Sequence, residues 1–479
     1  MSKRNWKILY HNYQGMEQRA VELLYKEMGA LILRDAGRYT VHVLPCEQAQ
    51  GAVLDRHAVV VGLYEESPLI RRYLAAEEIQ ENGYVIKVMD NPERPEFKLV
   101  LITARTPSGL FYGAVDFVDD YFTVAAPLHG GLKLVHEVFE QALPDYYRAS
   151  SPAFRTRSVF TWGHPINDFR NYIENMARLK LNQLIIWNDY LPLNAKEVAD
   201  YAHSYGIELI WGYAWGWSRK CDRTKIGSLE QIEQEVLEKY EQVYRHAGGD
   251  GIYFQSFTET AEDRIEGQLI AERVTDFVNR IAQKLLERDP GLKLQFGLHA
   301  TSVREHLAYL AKVDPRVEIM WEDCGSFPYG YHPLIRPKDN FEETVAFTEK
   351  ILPLRRAGST ALLFKGFMTL DWVGDRFVHQ AGPYVMGNSP ALAEQDKALL
   401  RPIWRQFQSG WLQNGKYAYT VAKLIREQSA PDTTMGMAGQ FAGGIWLPEA
   451  LCAEIFWSCD QPYEEIFDRV TRRKCIDIV

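Results

Sequence analysis

The strongest constraint on the fold of this chain is a regular alternation of short apolar segments with helical segments, which begins after Arg155. Amphipathic stretches such as AKEVADYAHSYG and IAERVTDFVNRIAQKLLERD separate the strand-sized apolar runs. Strands that alternate with helices predict parallel pairing, and eight such units over about 300 residues are typical of a (β/α)8 barrel. The predicted barrel strands are 157–162, 183–188, 207–214, 251–257, 293–299, 317–323, 361–367 and 434–439.

The segments on either side of this barrel predict two further units. From Lys7 to about Leu143, strand-like and helical runs alternate, and we expect an α/β domain around one mainly antiparallel sheet. The segment YYRASSPAF indicates a linker, and the end of the chain, from PEALCAEIFWS onward, predicts helices. The predicted units are therefore an N-terminal α/β domain at 1–148, a (β/α)8 barrel at 149–447 and a short helical segment at 448–479.

Composition and charge narrow the class of protein. With 46% hydrophobic and 24% charged residues, the 479-residue chain is typical of a folded globular protein of two or three domains. The net charge of −9 argues against a nucleic-acid partner, which requires clustered Lys and Arg. No apolar run is long enough to cross a membrane, and no signal-like segment opens the sequence, so we expect a cytoplasmic protein, unless a signal peptide was removed.

The six cysteines form no close CxxC pair, so the sequence indicates neither a zinc site nor a disulfide framework. We expect reduced thiols, no metal and no cofactor. A homodimer is an open expectation, because nothing in the sequence fixes the oligomeric state.

Polar and aromatic side chains follow almost every predicted barrel strand. In such barrels the chemistry lies at the C-terminal ends of the strands, so these side chains are the candidate site residues. In strand order they are Trp162 and His164; Trp187, Asn188 and Asp189; Trp211, Tyr213, Trp215 and Trp217; Glu259; His299; Glu322 and Asp323; Lys365 and Asp371.

Glu259 is the first candidate for catalysis, because it closely follows GIYFQSF, a segment with the apolar and aromatic composition of a buried strand. A partly desolvated carboxyl at this position would hold a proton more readily than one in water, which suits a general acid. The alternative is a salt-bridged acid at a strand end. Glu322 and Asp323 are candidates for a second carboxylate, and since adjacent residues of a strand point to opposite sides, at most one is expected to face the pocket. Hydrolysis of a glycoside by paired carboxylates would use such a set.

The remaining candidates fit a site for carbohydrate. The tryptophans and Tyr213 could stack on sugar rings, or they could pack at the barrel rim. His299 is a substrate-contacting or proton-carrying candidate. Lys365, with His164 or Arg157 nearby, could hold an anionic group such as a uronate, or could pair with Asp371 or another barrel acid.

The sequence also resembles known families over nearly its whole length. The runs AVELL, HAVVVG, ENGYVIKV and KLVLITARTPSGLFYGAVDFV are similar to the domain that precedes the barrel in family 20 hexosaminidases and family 67 α-glucuronidases. The runs RTRSVFTWGH, NMARLKLNQLIIWND, MGMAGQ and EALCAEIFWSCDQPYEEIFDRV resemble family 67 and the related family 115 α-glucuronidases. The resemblance implies an exo-acting glycoside hydrolase that takes an oligosaccharide or glycoside, with Glu259 as its general acid.

Two departures from the family patterns keep alternatives open. The segment WEDCGSFPYGY around Glu322 and Asp323 does not reproduce the α-glucuronidase pattern, and Thr258 stands where family 20 enzymes carry an orienting Asp. The hypotheses are therefore an α-glucuronidase-like hydrolase of a uronic acid or another modified sugar, an N-acetylhexosaminidase-like glycosidase, and an inactive carbohydrate-binding protein on the same scaffold.

Overall fold

The computed structural model describes residues 6–32, 41–49, 56–122, 144–161, 166–188, 190–216, 228–260, 262–299, 302–322, 341–356, 358–365, 382–429, 432–439, 441 and 443–479. The chain divides into two compact units. The first comprises Met1–Pro152, Ser204–Gly206 and Phe467–Ile476, and the second comprises Ala153–His203, Ile207–Ile466 and Asp477–Val479. The domain boundaries at 148/149 and 447/448 stay a prediction.

The strands of the N-terminal unit are β1 Trp6–Tyr10, β2 Val41–Pro45, β3 His57–Leu63, β4 Tyr84–Asn91, β5 Arg94–Ala104 and β6 Tyr146–Ser150, and the helices are α1 Gly15–Ile32, α2 Pro68–Arg71 and α3 Pro107–Asp116. The strands form a mixed six-stranded sheet with the order β2-β1-β3-β5-β4-β6. The expectation of a mainly antiparallel sheet was wrong: β1 pairs in parallel with β2 and β3, and β3 pairs in parallel with β5, while β4 is antiparallel to β5 and β6. A crossover helix, α1, connects β1 to β2 and so makes them parallel.

The second unit is a closed barrel of eight parallel strands, which confirms the barrel prediction. Its strands, in spatial order, are β7 Arg157–Thr161, β8 Gln183–Trp187, β9 Glu208–Gly212, β10 Gly251–Gln255, β13 Lys293–Leu298, β14 Val317–Trp321, β15 Thr360–Phe364 and β16 Thr434–Ala438. A small antiparallel pair, β11 Arg264–Ile265 and β12 Gln268–Leu269, follows β10.

Helices alternate with the barrel strands and continue past them. They are α4 Phe169–Arg178, α5 Ala195–Ser204, α6 Leu229–Lys239, α7 Ile270–Arg288, α8 Leu307–Leu310, α9 Phe341–Ile351, α10 Pro390–Gln428, α11 Leu447–Ser458 and α12 Tyr463–Arg472. The last two confirm the expectation of helices at the C-terminal end. Among the described residues, no helix combines the length and the apolar character that a membrane span requires.

Side chains that point into the barrel form layers, because the period of two along each strand places alternate residues inside. The middle layer is apolar and contains Phe160, Ile185, Ile210, Tyr253 and Met320. A polar layer lies two residues before it, at the N-terminal end of the strands, and another lies two residues after it, at the C-terminal end. The sequence analysis anticipated only the second of these polar layers.

The N-terminal polar layer is held by a carboxylate, Glu318. Its oxygens accept hydrogen bonds from Gln295 Nε2 at 2.6 Å and from Thr434 Oγ1 at 2.5 Å. Gln295 Nε2 also lies 3.0 Å from Oε1 of Gln183. Burial raises the pKa of Glu318 above its ordinary value, and the two hydrogen bonds only partly oppose that shift.

A buried ion pair connects α11 to the barrel. Lys180 Nζ lies 3.2 Å from Glu454 Oε2, and both side chains are fully buried. The same ammonium group lies 4.7 Å from the ring centre of Trp457, which adds a cation–π contact. Because neither ion can reach water, the contact between them compensates part of the charge of each.

Candidate active site

The polar layer at the C-terminal end of the barrel is centred on Glu322, which follows β14 and has 0% of its side chain exposed. Its Oε1 accepts hydrogen bonds from the Tyr253 hydroxyl and, at 2.6 Å, from Gln255 Nε2. Its Oε2 lies 2.8 Å from His299 Nε2 and 3.6 Å from Lys365 Nζ. Four polar groups from three other strands or strand ends therefore surround one carboxylate.

The strand register brings these groups together. Gln255 on β10 pairs with Gly297 on β13, and Gly297 pairs with Met320 on β14. The absence of a side chain at Gly297 is required, because a Cβ there would overlap both the Tyr253 hydroxyl and the Glu322 carboxylate. The close approach of Tyr253 to Glu322 thus depends on a glycine between them.

Glu259 lies beyond the end of β10, and 41% of its side chain is exposed. This corrects the expectation of a partly desolvated carboxyl: the side chain emerges into solvent at the mouth of the barrel. Its Oε2 is 3.9 Å from His299 Nε2, so His299 lies between Glu259 and Glu322. Because 3.9 and 2.8 Å are measured from the same nitrogen, the two carboxylate oxygens lie no more than about 7 Å from each other.

Two further candidates lie at the end of β8, Trp187 as its last residue and Asn188 directly after it. Trp187 is 7% exposed and packs edge-to-face on Tyr253 with ring centres 5.5 Å apart. Asn188, the next residue, hydrogen-bonds the side chain of Tyr384, a residue that the sequence analysis did not single out. Burial raises the pKa of Tyr384, and the hydrogen bond from Asn188 opposes that shift.

Three aromatic candidates are placed elsewhere. Trp211, Tyr213 and Trp215 are buried, so none offers a ring face for stacking on a sugar. Trp215 stacks on Phe254 with ring centres 3.5 Å apart, and the Tyr213 hydroxyl donates to the Val236 carbonyl at 3.1 Å. Trp211 alternates with the inward-facing residues of β9 and so faces outward from the barrel. These positions correct the expectation of stacking platforms, because all three side chains are buried.

Arg157 also differs from its expected place beside Lys365. It begins β7, at the opposite end of the barrel, and its buried guanidinium donates to the carbonyls of Phe154 at 2.6 Å and Lys180 at 2.7 Å. Lys365 instead faces Glu322, which is the barrel-acid alternative that the sequence had left open.

Several predicted residues lie outside the described part of the chain. They are Trp162, His164, Asp189, Trp217, Asp323 and Asp371, and their roles stay predictions. In the ranges that the structure describes, no group of three His, Cys, Asp or Glu side chains is arranged to hold a metal ion.

Tyr253 and Gln255 are site residues that the sequence analysis missed. Both lie on the fully buried strand β10, two positions apart, and therefore on the same face. The signal was present in the sequence GIYFQ, because a buried amide needs a hydrogen-bond partner in the barrel.

Comparison with known proteins shows the class of fold. No protein-family model and no curated protein matches the sequence. Among solved structures, a family GH115 4-O-methyl-α-glucuronidase with specificity for decorated arabinogalactans aligns with a TM-score of 0.53 at 13% identity, over 98% of this chain and 59% of that one. The structure of CpGH84D aligns with a TM-score of 0.44 at 13% identity, over 75% of this chain and 57% of that one.

The chain is therefore an α/β protein with an eight-stranded parallel barrel, similar in fold to a glycoside hydrolase. It spans less than two thirds of the length of either protein with which it aligns. At 13% identity the likeness extends to the fold, and the chemistry must be argued from the site.

Proposed function

We propose that this protein is an exo-acting glycoside hydrolase in which Glu259 is the general acid. The observation that carries the proposal is the position of Glu259: an exposed carboxyl at the C-terminal end of the barrel, 3.9 Å from a histidine that also contacts the buried Glu322. Glycosidases need a carboxylic acid that can reach the leaving oxygen, and the mouth of such a barrel is where substrates bind.

The second carboxylate of the proposed mechanism is Glu322 or Asp323. The acid would protonate the departing oxygen, and the second carboxylate would activate water or attack the sugar. In this proposal Trp187 and Asn188, at the end of β8, contact the substrate. We infer an α-glucuronidase-like specificity for a uronic acid or another modified sugar, supported by the sequence resemblance and by the fold of the GH115 enzyme.

One observation favours a second candidate, the inactive carbohydrate-binding protein. Glu322 is wholly buried and surrounded by polar partners, as expected of a carboxylate that supports the fold of a binding site. A binding protein would keep this buried cluster without needing Glu259. The N-acetylhexosaminidase-like hypothesis stays as the third candidate, with its orienting acid supplied from another strand.

A substrate screen separates these candidates. The purified protein is assayed against aryl α- and β-glycosides, including glucuronides and N-acetylhexosaminides, beside Glu259→Gln and a neighbouring control, Glu262→Gln. Turnover of a glucuronide supports the first candidate, and turnover restricted to N-acetylated sugars supports the hexosaminidase-like one. Absence of turnover, with sugar binding that survives Glu259→Gln, rejects the hydrolase proposal in favour of a binding protein.

A further inference from the structure

The two oxygens of Glu322 have different surroundings. Oε1 is turned toward β10, where the Tyr253 hydroxyl and Gln255 Nε2 donate to it. Gln255 Nε2 also lies 3.3 Å from the Tyr253 oxygen, so the two donors contact each other as well. Oε2 is turned toward the pocket, where it faces His299 and Lys365. Oε1 is therefore held by two donors on β10, and Oε2 contacts the two basic side chains that follow other strands.

The exposure of these side chains increases from the anchored oxygen of Glu322 toward the mouth of the barrel. Tyr253, Gln255 and the Glu322 side chain are inaccessible, and His299 and Lys365 keep 9% and 16% of their side chains exposed. Beyond His299 comes Glu259, which is open to solvent. A ligand entering from the mouth would therefore meet Glu259, His299 and Lys365 before it reached Glu322. A carboxylate with no exposed surface cannot attack a sugar carbon or deprotonate a water bound at the sugar.

We propose that Glu322 is a positioning residue: Tyr253 and Gln255 anchor its Oε1, its Oε2 fixes His299 and Lys365, and His299 in turn sets the position of Glu259. This inference rests on the proposed function, since it assigns the second carboxylate to a residue other than Glu322.

Tyr253 becomes a second positioning residue on this account. The absence of a side chain at Gly297 allows the Tyr253 hydroxyl to contact the Glu322 carboxylate. The Tyr253 ring packs against Phe160 and Trp187, with ring-centre distances of 4.8 and 5.5 Å. These ring contacts restrict the positions that the hydroxyl can take. Tyr253→Phe keeps the ring contacts and removes only the donor, so it isolates the anchor of Glu322.

Kinetics test the inference through four variants: Tyr253→Phe, Glu322→Gln, their double variant and the control Tyr240→Phe. Tyr240 is also buried and also donates to a carboxylate, that of Asp289 at 3.1 Å, but on a helical segment outside the barrel. We expect Tyr253→Phe to lower kcat at least about tenfold with little change in KM, and the double variant to be no worse than Glu322→Gln within about threefold. Tyr240→Phe should keep the wild-type kcat. Additive losses in the double variant would overturn the inference.

Chemical rescue distinguishes a positioning carboxylate from a reacting one. If Glu322 reacted with the sugar, azide added to Glu322→Ala would occupy the vacated space and restore turnover, with a glycosyl azide as product. We expect no restoration and no glycosyl azide. Rescue by azide would overturn the inference and leave the proposed hydrolase function standing.

A crystallographic measurement is independent of turnover. In the structures of Glu322→Ala and Tyr253→Phe, we expect the His299 imidazole to move by more than about 1 Å from its place beside Glu259, a displacement large enough to affect catalysis. An unmoved His299 in both variants would overturn the inference whether or not the protein hydrolyses any glycoside. Tyr253→Phe provides the result if Glu322→Ala does not fold. Failure of the wild type to turn over any substrate, with His299 displaced, would instead reject only the proposed function.

Discussion

Gly297→Ala is the substitution whose consequence follows most directly from the structure. Gly297 lies on β13 beneath the contact between Tyr253 and Glu322, and an added methyl group would overlap both of their polar atoms. Neither atom can move away easily, because the Tyr253 ring packs against two other rings and the Glu322 side chain is wholly buried. The alanine variant must therefore separate the tyrosine from the carboxylate or distort the barrel wall.

The magnitude combines two effects. Overpacking in a filled core costs about 1–3 kcal/mol, and loss of a hydrogen bond to a buried charged group costs a further 1.5–3 kcal/mol or so. We expect the barrel to lose about 3–5 kcal/mol of unfolding free energy. At about 2 °C per kcal/mol for a unit of this size, the melting temperature should fall by roughly 6–10 °C.

Thermal and urea unfolding, followed by tryptophan fluorescence, measure this loss. The matched control is Gly291→Ala, where the added methyl would meet only Asp289 Oδ1 at 3.7 Å, an ordinary contact. The control should melt within about 1–2 °C of the wild type, as a substitution without such a clash does. A Gly297→Ala protein that melts with the control and keeps the activity of the wild type would refute the close packing of Tyr253, Gly297 and Glu322.

Three further predictions concern other parts of the chain. Because burial raises the pKa of Glu318, the folded barrel holds that proton more tightly than the unfolded chain does, and the protein loses stability as the pH rises above the pKa of the unfolded chain. The melting temperature of Glu318→Gln relative to the wild type should therefore increase from about pH 4 to about pH 8. A difference that shrinks over this range would contradict the raised pKa. Lys180→Met leaves Glu454 buried without its ammonium partner and should cost about 3–5 kcal/mol in urea unfolding, whereas an unchanged urea midpoint would show that the pair contributes nothing. Burial raises the pKa of Cys46 and of Cys459 to about 12, so neither thiol should react with Ellman's reagent in the native protein at about pH 8. Peptide mass analysis locates any modified cysteine. Modification of either thiol at the rate of an exposed thiol would contradict their burial.

The barrel could be predicted from the sequence because its signal is repeated. Each strand is a short apolar run bounded by polar residues, and all eight appear where the pattern indicated. The direction of the strands in the N-terminal sheet was not available in the same way, since an apolar run marks a strand without marking which neighbour it pairs with. The connection through α1 decides the direction of β2 relative to β1, and the short turn between β4 and β5 decides theirs.

In the candidate site, too, residue positions along the chain could be predicted, whereas the contacts between residues distant in sequence could not. Glu259, His299, Glu322 and Lys365 could be selected because each follows a strand, and the structure brings these four together. The inward or outward direction of Trp211 depends on the exact start of β9, and a shift of one residue reverses it. The hydrogen bonds of Tyr253 and Gln255 to Glu322 join residues that are far apart in the chain, so the sequence marks the buried amide without identifying its partner.

The leaving-group dependence of Glu259→Gln tests the central claim most directly. A general acid is needed most when the departing oxygen is a poor leaving group, and least when it belongs to an activated phenol. With the wild type and Glu262→Gln as references, Glu259→Gln should lose at least about a hundredfold in kcat/KM on a disaccharide and much less on the corresponding activated aryl glycoside. Equal losses on both substrates, or no loss on either, would contradict the assignment of Glu259 as the acid.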